Sequence, residues 1–554
     1  MKNKPIVLFA SSIFLTIYIN MNIFYNHYSH FLFILWIISI FFFLLAFLRQ
    51  FSFPDFNKKQ IIPIFCIILL PLIVRISHYN LNRIHGDDLM AAYFSTTQDF
   101  PRINFFSGIP TVRTDWESQF PSPFFILQKI FFILFGESLL TVKLSIIPYV
   151  LVVTIMIFLI TKSILNEKVA AISVFLYSFF AINLYLETIG LWVISGTAVF
   201  LVFFYFLICN LKKNNAINSM FMGLFSGFSY LFYFNSYIAF PIMTLVFFCQ
   251  LLIIKKLYVV RNFLISIVGF AVVISPFFTY ANTFENYFTD RLIQVSLLTG
   301  AWSSISKDVS QGKSIFPFLK DNIFLTIKSF YIDGIGGQGG VNFGRLALFE
   351  SFSLYLFLSG LLFLFILVPR KIELLLLLLV VIFSIIPIIL SIPPPAYHRF
   401  ALAFPFINII SALPFYVILK VLRIHSSIKY ILIFMIIIIY GAKNQSYYLT
   451  SVKAEKYHPI LYVSDYINKN FPVRNVYVAA YPGYAFDKIY YFSREKNATG
   501  IYVEYHETFL AHFNRNEKYV YVVLFPDVFN DRFSRADPNG RVINLSADYS
   551  LFVN

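Results

Sequence analysis

Residues 372–390 read IELLLLLLVVIFSIIPIIL, with a single charge, Glu373, next to one end. A run of this length and polarity matches the thickness of a bilayer core when coiled as a helix. Working outward with the same rule, apolar runs between polar breaks predict spans at 5–25, 31–48, 61–78, 141–160, 169–186, 192–210, 216–233, 238–254, 262–279, 351–368, 372–390, 400–418 and 430–448. The expected fold is an all-α polytopic membrane protein of about 13 transmembrane helices, each near 20 residues. Composition agrees: 59% of the 554 residues are hydrophobic and only 13% are charged, roughly half the charged fraction of soluble domains.

Net charge is +16. In a soluble chain that excess would point to nucleic acid. Here its distribution gives another reading. With the N-terminus placed in the cytoplasm, 17 basic residues fall in cytoplasmic segments: Lys2, Lys4, Arg49, Lys58, Lys59, Lys162, Lys168, Lys212, Lys213, Lys255, Lys256, Arg261, Arg370, Lys371, Lys420, Arg423 and Lys429. The short loops on the other side hold only Arg399. Basic residues stay cytoplasmic during insertion, so the excess encodes orientation and implies no nucleic-acid partner. The expectation is a multi-pass protein of the inner (plasma) membrane with its C-terminus outside. Lys2 and Lys4 precede an apolar run without a small-residue cleavage site, which predicts an uncleaved first span. Cys66, Cys209 and Cys249 lie inside apolar runs, so no disulfide framework or CxxC site is available.

These assignments divide the chain into an N-terminal transmembrane hairpin (1–50), a core (51–449) with outer loops 79–140 and 280–350, and a tail (450–554). The tail carries 23 charges in its last 104 residues, against 47 in the first 450. Strand-like runs at Asn475–Ala479 and Lys518–Phe525, with a helix-like stretch at Pro459–Asn470, predict a small extracytoplasmic α/β domain. Phe124–Phe135 is apolar but too short to span, and is expected to lie at the interface or to re-enter.

Chemistry-bearing residues gather on the outer side. The first loop opens with His85-Gly86-Asp87-Asp88-Leu89-Met90-Ala91-Ala92-Tyr93. Adjacent carboxylates at a membrane surface repel each other in a lowered dielectric, which raises at least one pKa and suits a general base; an Asp helix cap is the bland alternative. Downstream come Trp116-Glu117, Leu186-Glu187 at the outer end of a short span, Gly223 and Gly227 in the seventh span, Asp290-Arg291 after the ninth, and Pro395-Ala396-Tyr397-His398-Arg399 before the twelfth. His85, Tyr93, Glu117, Tyr397 and His398 are candidate substrate contacts. His85 and His398 could join Asp87 and Asp88 around a divalent cation, although solvated loop histidines are the simpler reading; the sequence establishes no other cofactor. The glycine-rich run Gly334–Gly340 lacks the ending of a phosphate loop and reads as a flexible loop over the site.

The order of these motifs from about residue 61 onward resembles the GT-C superfamily of membrane glycosyltransferases, in the protein O-mannosyltransferase and lipid A aminoarabinose transferase branch. The resemblance implies a polyprenyl-phosphate-linked sugar donor, a lipid, protein or glycan acceptor, and inverting transfer. It also implies a catalytic acid in the first outer loop, matching Asp87 with Asp88 beside it; a second acid, matching Glu187; and an Arg on the donor phosphate, matching Arg399. Arg291, placed soon after the ninth span, is by its position a second candidate phosphate contact. These roles are chemically coherent. A carboxylate accepts the proton of a weakly nucleophilic hydroxyl, and a guanidinium holds a phosphate leaving group through paired hydrogen bonds. Headgroup anchoring is the alternative for Arg399. Two rival functions stay open: a lipid-linked-sugar flippase or other transporter, and an O-antigen ligase or polymerase.

Overall fold

The computed structural model describes residues 4–48, 61–79, 120–284, 311–335, 343–391, 395–423 and 425–454 with few breaks, together with 81, 91–92, 94–96, 105–107, 293, 296–297, 308–309, 463, 466–467, 469–471, 475–479, 500–503, 519–524, 535, 538–545 and 549–553; residues 285–286 are the break before 287–290.

Helices form where the sequence is apolar. They are α1 (Lys4–Phe24), α2 (His30–Phe47), α3 (Ile61–His78), α4 (Pro123–Phe135), α5 (Leu139–Leu144), α6 (Ile147–Ile164), α7 (Glu167–Phe179), α8 (Ala181–Thr188) and α9 (Ile194–Lys212). After these come α10 (Ala216–Ser229), α11 (Ala239–Ile254), α12 (Leu257–Thr283), α13 (Phe316–Ser329), α14 (Ser351–Leu367), α15 (Glu373–Ile389), α16 (Phe404–Ser411), α17 (Leu413–Lys420) and α18 (Ser426–Ala454). Among the described residues eight helices are long and apolar enough to cross a membrane, and the bent pair α7–α8 makes a ninth. Of the other expected spans, 61–78, 351–368 and 372–390 form shorter apolar helices, and 216–233 is represented by the 14 residues of α10. The membrane part of the protein is an all-helical polytopic bundle, without its helix lengths fixing the number of crossings at thirteen. At 13 residues α4 is too short to cross. It buries Phe124, Phe125 and Phe132 and exposes Ile133, Leu134 and Phe135, as a helix lying at an interface would.

Hydrophobicity alone does not join helices in lipid, so close packing and polar pairs decide the contacts. Gly223 and Gly227, one turn apart on α10, face α12 so closely that a Cβ at Gly223 would lie 2.2 Å from the Ser266 carbonyl oxygen. Gly223→Ala is expected to push the two helices apart and cost about 1–3 kcal/mol, as overpacking does. An unchanged unfolding midpoint in detergent would show that the contact tolerates separation. The α1–α2 hairpin is tied internally by Thr16 and Ser39, whose hydroxyls are 2.8 Å apart. It is tied to α12 by Asn20 Nδ2 donating to Ser275 Oγ (2.8 Å), Thr279 Oγ1 donating to Asn20 Oδ1 (2.6 Å) and Trp36 Nε1 donating to Val273 O (3.1 Å).

The C-terminal strands are β1 (Asn475–Ala479), β2 (Gly500–Val503), β3 (Tyr519–Leu524), β4 (Arg541–Asn544) and β5 (Tyr549–Val553). They form one sheet in the order β2-β1-β3-β5-β4. β1 lies parallel to both β2 and β3, while β5 is antiparallel to β3 and β4. Both strand-like runs of the sequence are strands here, and Val520, Leu551 and Phe552 are buried. Most of the helix-like stretch 459–470 lies outside the described residues.

Candidate functional site

The span expected at 169–186 is not one straight helix. Phe180 takes an extended conformation (φ −60°, ψ 112°), and α7 and α8 meet at a bend of 62°. A break inside a membrane frees backbone groups that water cannot satisfy, each costing several kcal/mol if left alone. Distant side chains take them. Arg75 of α3 donates from Nη1 to Ser178 O (2.6 Å) and from Nη2 to Tyr177 O (3.2 Å). Asn444 of α18 accepts from the Ala181 N–H (3.2 Å) and donates to Ser353 Oγ of α14 (2.7 Å).

Arg75 also holds the second half of the bent pair. Its Nε donates to Glu187 Oε2 at 2.5 Å, and the Tyr177 hydroxyl donates to Glu187 Oε1. Arg75 and Glu187 are each 1% exposed, so both charges are neutralised within the bundle and both carboxylate oxygens are engaged. The surroundings extend this polar patch. Tyr448 of α18 lies edge-on to His78, with ring centroids 5.1 Å apart, and its hydroxyl is 3.4 Å from Thr188 Oγ1. Gln445 Nε2 lies 2.6 Å from His78 Nε2. Buried Lys143 of α5 donates from Nζ to the Tyr79 carbonyl, and the Tyr79 hydroxyl donates to Lys143 O (3.3 Å). Burial pushes the Tyr79 hydroxyl above its ordinary range; the Glu187 carboxylate adds to the shift and Arg75 opposes it.

The second part of the site is the 3-10 turn Tyr397–Ala403, buried at every residue. Arg399 is 4% exposed and His398 6%. The turn is anchored by the Tyr397 hydroxyl, which donates to Ser329 O (2.7 Å) and Leu346 O (3.1 Å), and by Phe400 stacked on Phe330 with centroids 5.5 Å apart. Phe343 links it to α8: its ring lies 5.2 Å from Tyr185 and 6.4 Å from Tyr397 between centroids. Phe343, Gly344 and Arg345 all have positive φ (32°, 58° and 56°). For the two non-glycine residues this costs on the order of 1–3 kcal/mol each, a strain that concentrates at functional sites. Complete burial of Phe343 between the two elements offsets it.

Of the residues singled out in the sequence, Glu187, Tyr397, His398 and Arg399 are therefore on elements joined by the Tyr185–Phe343–Tyr397 contact. His85, Asp87, Asp88, Tyr93, Glu117 and Arg291 lie outside the described residues, as does most of the glycine-rich run. Among the described residues no three His, Cys, Asp or Glu converge as a metal would require. Sequence reading missed Arg75 and Lys143, although each is a charge inside an apolar run, a signal in itself. It also missed Asn235, buried at 3% against Gly196 of α9 with neither amide atom hydrogen-bonded.

No family model matches the sequence and no curated protein matches it at the sequence level. Solved structures do match the fold. ArnT from Cupriavidus metallidurans bound to undecaprenyl phosphate superposes with a TM-score of 0.58 at 10% identity, covering 88% of this chain and 97% of that one. The Archaeoglobus fulgidus oligosaccharyltransferase in its apo form superposes with a TM-score of 0.52 at 11% identity, covering 86% of this chain and 71% of that one. This chain shares the membrane fold of these two proteins.

Proposed function

We propose that the protein is an integral membrane glycosyltransferase of the plasma membrane that moves a sugar from a polyprenyl-phosphate-linked donor to a lipid, protein or glycan acceptor on the extracytoplasmic face, with inversion. The observation that carries this reading is the likeness to ArnT bound to undecaprenyl phosphate over nearly that protein's whole length. In this reading Asp87 or Asp88 accepts the acceptor hydroxyl's proton as the glycosidic bond forms. The donor's anomeric C–O bond breaks, and the polyprenyl phosphate leaves with its negative charge held by Arg399, assisted by Arg291. Glu187 positions rather than reacts, because Arg75 and Tyr177 occupy its two oxygens. Burial of Arg399 favours a phosphate contact over headgroup anchoring, since a snorkelling anchor keeps its head in water.

The test is sugar transfer by the purified protein in nanodiscs from a labelled polyprenyl-phosphate sugar. Arg399→Gln is expected to lower kcat/KM by about 10- to 150-fold, the worth of a charge-assisted hydrogen-bonded contact, and Arg399→Lys to recover part of it. Movement of the donor across vesicles with no transfer product would sink the proposal and favour a flippase.

A further inference from the structure

A cavity of about 460 Å³ opens at the end of the bundle where α10 and α12 begin, away from the turns that carry the candidate site. It is lined by Phe47 at the end of α2, Asn214, Asn215 and Ala216 between α9 and α10, and Tyr258, Arg261 and Ile265 of α12. Its volume lies in the range that holds a small ligand. Among the described residues Arg261 is its one lining cation. The Arg261 Nε and Nη2 rest 3.4 and 3.3 Å from Asn262 Oδ1, and among the described residues no carboxylate pairs with it. The support beneath is fixed: wholly buried Asn262 donates from Nδ2 to Asn214 Oδ1 (2.5 Å), and Asn214 Nδ2 donates to Gln250 Oε1 of α11 (2.8 Å). Exposed Lys213, Lys255 and Lys256 add positive charge around the opening.

Position decides between a lipid and a soluble anion. Leu257 and Leu264, four residues before and three after Arg261, share its face of α12 and are 84% and 56% exposed. The cationic cavity is therefore continuous with an apolar strip that meets acyl chains. Basic pockets between transmembrane helices suit anionic headgroups. We propose that this cavity binds the phosphate of an anionic phospholipid from the adjoining leaflet, with Arg261 as the phosphate contact and the acyl chains along Leu257 and Leu264. The site goes beyond sugar transfer and does not depend on it.

The experiment is native mass spectrometry of the full-length protein titrated with phosphatidylglycerol or phosphatidylcholine. One phosphatidylglycerol is expected to stay bound in preference to phosphatidylcholine. Arg261→Gln should weaken its retention about ten-fold, while Lys320→Gln on α13 should leave it unchanged. Ala216→Trp, which fills the cavity without altering charge, should weaken it as well. Unchanged retention in Arg261→Gln, or full retention in Ala216→Trp, would overturn the proposal, the second by showing that diffuse surface charge suffices. Displacement of the lipid by inorganic phosphate at equal concentration would reassign the cavity to a soluble anion.

Discussion

Arg75→Leu is expected to cost about 3–5 kcal/mol of stability, the usual penalty for removing one partner of a buried ion pair. The guanidinium serves three acceptors at once: the Glu187 carboxylate and the freed carbonyls of Tyr177 and Ser178. Without it a charge and two carbonyls are left inside the bundle with no water to receive them. Arg75→Lys should fall in between, because an ammonium is a point charge and cannot reproduce the planar fork. Glu187→Gln should cost less than Arg75→Leu, since an amide oxygen still accepts a hydrogen bond. The combined Arg75→Leu, Glu187→Gln variant should lose less than the sum of the two single changes, the signature of direct coupling. Unfolding in detergent micelles measures all four. A wild-type midpoint for Arg75→Leu would remove the pair from any role in holding the bend. Because α8 also contacts the Arg399 turn through Tyr185 and Phe343, Arg75→Lys is expected to lower kcat more than it raises KM.

The other large effect follows from the proposed transfer. Loss of the catalytic carboxylate should lower kcat by about 10²- to 10⁴-fold, the range that general-base catalysis supplies. Asp87→Asn and Asp88→Asn compared side by side identify the base: one should fall through this range and the other by much less. An amide has no basic oxygen that accepts the acceptor's proton, so neither substitution can substitute for the base itself. The active enzyme should also lose rate as pH drops through the base's pKa, and that acid limb should vanish in the variant lacking it. Full activity in both variants would place the base elsewhere.

Much of the architecture was legible because hydrophobicity acts locally. Apolar runs gave the helices, the length of Phe124–Phe135 ruled out a crossing, and β-branched and aromatic runs gave β1 and β3 almost to the residue. The candidate site was less legible. Glu187 stood out as an acid at a span's end, but its partner did not, because Arg75 lies 112 positions away in the chain. Reading the spans by their apolar runs also passed over Arg75 and Lys143, which are tolerated only because folding supplies their partners.

The sequence by itself therefore determined the class of protein: a helical membrane bundle with a strand-rich tail, since bilayer partitioning depends on composition over about 20 residues at a time. The bend at Phe180 was decided by tertiary structure alone. No proline or glycine marks it, and residues 169–186 taken in isolation favour an unbroken helix. The break persists because Arg75 and Asn444, from opposite ends of the core, provide the hydrogen bonds that the backbone gives up. Partners so distant in sequence exist only once the bundle has assembled.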